Sequence, residues 1–529
     1  MCYRDRVGDY GPIGGTKASV RVWRLAPACA LSLPISRRIG VREIVDRFCP
    51  MGHAKHLTHG SVAEFLILHL LQSAAREPLY QMQEWAEQFG VERIYGCPAS
   101  AFNDDRIGRA LDAISESILD IETAVVTQAL SRFAVDVRAI HWDLTHVTFT
   151  GAYEEIDAIA GGYGGGRLHE HQLKVSLHAT SEGGLPVRHQ ILPGGAHQAP
   201  FAPAMLADLQ RRLQRTDLIV VSDRAGISYD NLVAYRRAGA HALGPLQATP
   251  AEQEMLAAVP IEAFTELSYR APSAPDECYR YHEAVLRIER QKRTEPLEVR
   301  ALFVHSSRLA FEDAATREKQ LDKALARLAK IKSHLNKRRY AKYDYAREQV
   351  YKAVPASLRE TLRAALTGDD GGLDLTWSVD EAALAEAAKA DGRYILIADV
   401  EDLSPDEIFA LFKRQNVIEQ RFRSFKSDLS VQPLWLHKEQ RIRALLLIFI
   451  LALLVYTLIE LCSERARLST PYYHKMTARQ LIRAFELVDF IELRIRGEPT
   501  RWQLQITTEQ TRLLRRLRLP SLDTYLIIN

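Results

Sequence analysis

Cysteine is scarce in this chain of 529 residues: there are six, Cys2, Cys29, Cys49, Cys97, Cys278 and Cys462, and no two form a C-x-x-C pair. That scatter excludes a disulfide framework and a cysteine-built zinc site, and it fits a reducing, cytoplasmic compartment. Net charge is nearly absent too, +3 from 69 basic and 66 acidic residues, so a surface for polyanions must come from local clusters. No G-x-x-x-x-G-K-[ST] loop occurs, which excludes a Walker-type nucleotide site. The glycine-rich run 161–166 lacks the lysine and reads as a flexible turn. Long apolar runs are confined to residues 444–459, an uncharged stretch between Arg443 and Glu460. It falls short of the roughly 18–20 residues of a bilayer span and reads as a central core helix, so no membrane is expected. Residues 1–36 carry Arg4, Arg6, Arg21 and Arg24 among glycines without an apolar h-region, so no signal peptide is expected and the segment reads as loosely ordered.

What is present is a large globular chain. Hydrophobic residues make up 47%, enough for sizeable cores, and at about 150 residues per domain the length allows three or four units. Residues 37–135 read as a helical N-terminal domain: apolar periodicity over 41–48, 61–71 behind a Ser61-to-Glu64 capping box, 78–89, and 107–130 behind Asn103-Asp104-Asp105. Such a head suits DNA-end binding or dimerisation. From residue 136 to 249 the pattern turns to strands at 139–149, 171–179 and 185–192, an antiparallel meander, followed by a helix, a buried strand at 218–222, a helix at 229–238 and a strand at 241–246. The order predicts an α/β fold, an RNase H-like mixed-sheet core. Residues 250–390 read as an insertion domain with strands at 285–290 and 298–304 and one long basic helix at 316–347. Residues 391–529 then complete the core, beginning with an edge strand at 391–398, and add C-terminal helices.

Three carboxylates carry the chemistry. Asp143 lies in the strand-like run 139–149, Asp223 closes the apolar run 218–223, and Glu419 sits on the helix-like stretch 412–426. Two acids at strand ends and a third on a helix can converge on divalent ions, and oxygen-only sites of this kind cut and join phosphodiesters. Phe412, Gln415, Glu419, Phe422 and Lys426 step by three and four, so on one continuous helix they share a face; the bland alternative is a surface pair of Glu419 with Arg423. The run 316–347 holds eleven basic and three acidic residues, with Lys337, Arg338 and Arg339 adjacent and Tyr340, Tyr343 and Tyr345 close behind. A one-signed bias with interleaved aromatics points to phosphate contact, although charge runs are usually solvated faces.

Taken together the motifs resemble those of insertion-sequence transposases of the DDE (RNase H-like) superfamily, over nearly the whole chain after the first 35 residues or so. The matching segments are His141-Trp-Asp-Leu-Thr-His146, Gly162-Tyr163 with Gln172-Leu-Lys174, Val221-Ser-Asp-Arg-Ala-Gly226, Ile418-Glu-Gln-Arg-Phe-Arg-Ser-Phe-Lys426, and Asn103-Asp-Asp-Arg-Ile-Gly108 ahead of the core. The acids lie 80 and 196 residues apart, like the branch with a long, largely β insertion between the second Asp and the Glu. That branch carries a Tyr-x2-Arg-x3-Glu-x6-Lys signature; here Glu419 and Lys426 fit, whereas Phe412 and Gln415 replace the Tyr and Arg. The resemblance implies that Asp143, Asp223 and Glu419 bind two Mg²⁺ ions, with Mn²⁺ able to substitute. It also implies that Lys426, with Arg421 or Arg423, grips DNA phosphate. The implied partners are the element's terminal inverted repeats and target DNA, handled by a homodimer at the nucleoid. Two other readings compete. The histidines at 141, 146, 169, 171, 178, 189 and 197 suggest a metal-dependent hydrolase or nuclease, although His141 and His146 fall on opposite faces of a strand. A catalytically inactive, transposase-derived DNA-binding protein is the third.

Overall fold

Most element boundaries in the computed structural model follow the caps and periods of the sequence. It describes residues 18–51, 57–72, 79–148, 160–164, 167–194, 202–271, 274–289, 295–431, 436, 438–469, 476–495 and 498–526. The chain begins with β1 (Ala18–Arg24), then helices α1 (Cys29–Ile39), α2 (Val41–Phe48), α3 (His59–Gln72), α4 (Met82–Gln88), α5 (Glu92–Tyr95), α6 (Asp104–Ser115) and α7 (Ile118–Phe133). Strands β2 (Ala139–Thr148), β3 (Ala160–Gly164), β4 (Arg167–Thr180) and β5 (Pro186–Pro193) precede α8 (Ala202–Leu213), β6 (Ile219–Val221), α9 (Tyr229–Arg237), β7 (His241–Pro245) and α10 (Pro250–Ala258). Next come β8 (Thr265–Glu266), β9 (Tyr279–Ile288), β10 (Leu297–Ser306), α11 (Ser307–His334), α12 (Tyr343–Ala353), β11 (Leu362–Thr367), β12 (Asp374–Val379), α13 (Glu381–Ala388) and β13 (Arg393–Ala398). The chain continues through α14 (Pro405–Lys413), α15 (Asn416–Arg423), α16 (Glu439–Arg465), α17 (Ala478–Arg483), β14 (Asp489–Ile495), β15 (Glu498–Gln505) and α18 (Thr508–Arg516). It divides into two units: residues 1–222, 237–240 and 413–529, and residues 223–236 and 241–412.

The first unit is organised around α16. Its most apolar window is 94% buried, and every residue from Ala444 to Leu461 is buried, because a helix apolar all round has to be enclosed by its neighbours. What encloses it comes largely from the N-terminal helices. Arg441 forms a bidentate pair with Asp112 of α6 at 2.6 and 2.7 Å and lies over Gly108, where a Cβ would stand 2.7 Å from the guanidinium. At the other end Arg465 donates to the carbonyls of Phe133 and Ala134 and to Glu182. Residues 37–135 are therefore not a separate domain but share one core with α16. The segment 18–36 is also structured rather than loosely ordered: β1 pairs antiparallel with β14, which pairs with β15, and α1 begins at Cys29.

Local caps explain the helix ends. Asn103 accepts from Arg106 N at 2.8 Å, as its side chain suggests, and starts α6. The run expected over 107–130 is broken at Glu116–Ser117 into α6 and α7. The α3 start differs from the Ser61 expectation: the helix begins at His59, Thr58 Oγ1 accepts from Ser61 N at 3.1 Å, and Glu64 lies buried beside Arg37 instead of capping.

The sheet of this unit is mixed. Strand β2 runs antiparallel to β4 and parallel to β6, and β4 carries β5 and β3 on its other edge. The meander is as expected, but Gly161 to Gly164 belong to strand β3 rather than to a turn, while residues 165–166 lie outside the described residues.

In the second unit the order β7-β13-β10-β9-β8 is antiparallel throughout. Strand β13, read as an edge strand, is flanked by β7 and β10; its buried Ile395-Leu-Ile-Ala398 run fits a central place. Strands β9 and β10 belong to that sheet and not to the insertion. The inserted body is residues 307–392, largely helical, with its own core of Ala324, Leu328, Ile331, Ala346, Val350 and Leu375. The basic run is not one helix: α11 ends at His334, Asn336 and Arg338 take positive φ values of 61° and 48°, and α12 starts at Tyr343.

Candidate active site

Alternation along β2 puts His141 and Asp143 on the same face. His141 is fully buried and donates from Nδ1 to Gln415 Oε1 at 2.8 Å, while Gln415 Nε2 reaches the Trp142 carbonyl oxygen at 3.4 Å. The two bonds fix the amide's orientation and leave the imidazole proton on Nδ1. Burial pushes the His141 pKa down to about 4; the Gln415 bond opposes this and nearby Arg414 adds to it. Asp143 is half-buried, and its Oδ1 accepts from Leu144 N at 2.7 Å.

Glu419 projects from α15 and is exposed. Three contacts hold this helix. Gln415 ties its start to β2. On its flank, Gly184 at φ 63° lies so close that a Cβ would stand 2.3 Å from Val417 Cγ1. Behind it, Arg421 Nη1 donates to Glu460 Oε2 of α16 at 2.7 Å, with side chains 4% and 9% exposed. Arg421 is thus a buried structural ion-pair partner, and the expectation that it contacts DNA is corrected: its guanidinium faces α16, not solvent. Arg423 and Lys426 are exposed. The single helical face expected over 412–426 is also corrected. Helix α14 ends at Lys413, α15 starts at Asn416, and residues Ser424–Asp428 form a π-helical turn, so Phe412 and Lys426 leave the face of Glu419. Lys426 stays near β2: it and Lys174 reinforce the desolvation that lowers the His146 pKa, and partial desolvation lowers its own.

Val221 stands opposite His141 in the parallel β2–β6 pair, and Asp143 and Asp223 each follow two residues later. Asp223 opens the second unit. It is exposed, and its Oδ1 accepts from Ala225 N at 3.0 Å and Gly226 N at 3.3 Å, an Asx turn that ends the strand. In the inserted body, Lys337, Arg338 and Arg339 are exposed between α11 and α12. Their loop is fixed by Asn336, whose side chain exchanges two hydrogen bonds with the Leu373 backbone at 2.7 and 2.9 Å. Of the tyrosines behind them, Tyr340 and Tyr345 pack edge to face at 5.1 Å.

The family profile described as "Transposase DDE domain" matches residues 130–455, more than half of the chain. The chain belongs to the DDE transposases. The segment of the transposase over residues 31–122 matches a second family, described as a domain of unknown function (DUF4277). Comparison with curated proteins returns no match. Among solved structures the transposase is similar to the piggyBac transposase in a synaptic complex with hairpin DNA, at 7% identity, 87% coverage of this chain, 79% of that chain and a TM-score of 0.36. It is also similar to the Mos1 transposase in a paired-end complex with the left transposon end, at 12% identity, 39% and 63% coverage and a TM-score of 0.15. The mixed sheet of the first unit lies within the segment that the transposase profile matches.

His141, His178 and His189 of the histidine-rich segment are buried in the fold. His178 is buried, its pKa pushed to about 3 by desolvation and Arg188, and His189 bonds the buried Glu122 at 2.5 Å. His197 and the side chain of His169 lie outside the described residues. Among the described residues no three His, Cys, Asp or Glu side chains are gathered as a metal-holding group. Asp143, Asp223 and Glu419 nevertheless suit a hard divalent ion by the chemistry of their donors: all are carboxylates, and none is buried. The Gln415 clamp was missed by sequence reasoning, which saw at this position only a missing arginine; a polar pair on facing elements leaves no periodic trace.

Proposed function

We propose that this transposase cuts the ends of its element and joins the freed 3′-OH groups to target DNA by phosphoryl transfer. Asp143, Asp223 and Glu419 hold the divalent ions, two Mg²⁺ with Mn²⁺ able to substitute. When bound, such ions would supply Lewis acidity for the attacking hydroxyl and for charge on the leaving oxygen. The reading rests on one observation above all: the DDE family match spans all three acids. The chain's own residues orient and bind. Half-buried Asp143 is held on a strand by its neighbour's N–H, and exposed Glu419 stands on a helix fixed from three sides. Arg423 and Lys426, exposed beside Glu419, take DNA phosphates, and Lys337, Arg338 and Arg339 contact the backbone elsewhere on the duplex. Two element ends must be joined, so the working form is a homodimer on DNA, in the cytoplasm at the nucleoid.

Cleavage of a labelled duplex carrying the element's boundary, with Mg²⁺ or EDTA, tests the proposal. Metal-dependent nicking at the boundary is expected, and it is lost in Asp143→Asn, Asp223→Asn and Glu419→Ala while end binding stays within a few fold. Nicking that survives any one substitution removes that residue from the site, and binding without nicking by the wild type removes the catalytic reading.

A further inference from the structure

We infer that Gln415 is a positioning residue: its amide holds His141, seats α15 along β2, and so aligns Glu419 with Asp143. The inference rests on the proposed role of these two carboxylates and explains how the first unit presents them together. Both polar ends of the Gln415 side chain are used on β2, the oxygen accepting from His141 Nδ1 and the nitrogen donating to the Trp142 carbonyl. From that clamp, Asp143 lies two residues along the strand, about 6.6 Å. Glu419 lies four residues along the helix, about 6 Å, slightly more than one turn. The two steps agree to within about 1 Å. Both carboxylates therefore stand a short step from one anchor.

The anchor is firm, since His141 is fully buried and its ring has no other partner among the described residues. Other restraints on α15, the Gly184 notch and the Arg421–Glu460 pair, hold its flank and back but do not touch the strand of Asp143. The chemistry also accounts for the departure from the signature arginine. A guanidinium only donates and cannot accept the Nδ1 proton of His141, whereas an amide accepts and donates at once. Gln415 and His141 thus form a matched pair.

The test uses the full-length protein bound to a duplex carrying the element end, with Mn²⁺ binding followed by electron paramagnetic resonance and melting temperature as a check of folding. Gln415→Met keeps the side chain's size but loses both hydrogen bonds, and Gln415→Glu keeps the acceptor for His141. In Gln415→Met the Mn²⁺ concentration for half-saturation rises about tenfold or more, the size of loss seen when a ligand's supporting partner is removed. In that variant DNA binding and melting temperature stay near wild type, and Gln415→Glu recovers most of the Mn²⁺ affinity. Unchanged half-saturation in Gln415→Met, or a Gln415→Glu as weak as Gln415→Met, overturns the inference. Glu419→Ala separates this failure from that of the underlying reading. If Glu419→Ala loses Mn²⁺ while Gln415→Met keeps it, only the clamp is wrong; if Glu419→Ala binds Mn²⁺ like the wild type, the carboxylate site itself falls and the clamp with it.

Discussion

Two helices of nearly equal length, α16 with 27 residues and α11 with 28, use their surfaces in opposite ways. Helix α16 buries its whole circumference through the middle and serves as the axis of the first unit. Helix α11 fully buries only Ala324, Leu328 and Ile331, one narrow stripe at steps of four and three, and leaves the rest half-buried or exposed. A helix enclosed on all sides needs neighbours from distant parts of the chain, here residues 29–133, and so makes a single cooperative unit out of both termini. A helix with one stripe needs only a local partner, and α12 with the β11–β12 hairpin supplies it. Charge follows the same division. In the first unit the buried charges are paired, as in Arg421–Glu460 and in Arg188 with Glu122 and Asp208; in the inserted body the charged side chains lie mostly at the surface.

The comparison breaks most directly if residues 37–135 fold alone. Without α16 they lose the helix around which they pack, so the isolated fragment is expected to show no cooperative urea transition by circular dichroism. In the intact chain Phe449→Ala should cost about 3–5 kcal/mol. Next in size is the buried pair: Arg421→Ala strands Glu460 and should cost about 3–5 kcal/mol in urea unfolding. Arg421→Met combined with Glu460→Leu should restore stability and leave the salt dependence of DNA binding unchanged. A large loss of salt dependence in the double variant would return Arg421 to the DNA.

A smaller effect is expected from pH. His178, with its pKa depressed to about 3 in the fold, stays neutral there, while the unfolded chain protonates near the ordinary histidine value. Its contribution is complete above that ordinary value and is lost as pH falls toward 3. Melting temperature should therefore drop on acidification from pH 7 to 4, and His178→Leu should flatten the drop; an unchanged slope would mean that His178 is not held neutral. The smallest effect on stability, within about 0.5 kcal/mol, is expected from neutralising Lys337, Arg338 and Arg339 together. The same variant should lower the salt slope of DNA binding by up to about 0.9 per lost contact. A slope that does not move would make this loop an ordinary solvated turn.

Much of the fold was legible because it is written in local patterns. Asn103 caps α6, period-two strands gave β2, β4 and β5, and the uncharged run at 444–459 could only be a buried or membrane helix. What misled was continuity. The run 316–347 reads as one helix only if Asn336 is passed over: asparagine after a last turn with Lys332 and His334 is a stop signal, and Asn336 and Arg338 both adopt positive φ. The face drawn through Phe412, Glu419 and Lys426 fails because the helix ends and restarts before Glu419 and widens to a π turn after it. Strand β13 read as an edge because its partner β10 arrives from a stretch that resembles an insertion.

The sequence by itself determined the family and the mixed α/β core, because both depend on residue type and short-range spacing. Only the tertiary structure decided which charges are available and which are spent. It turned Arg421 inward to Glu460, left Arg423 and Lys426 at the surface, and joined Gln415 to His141 across 274 residues. Long-range pairs of this kind follow from how elements pack, and packing geometry leaves no period in the chain.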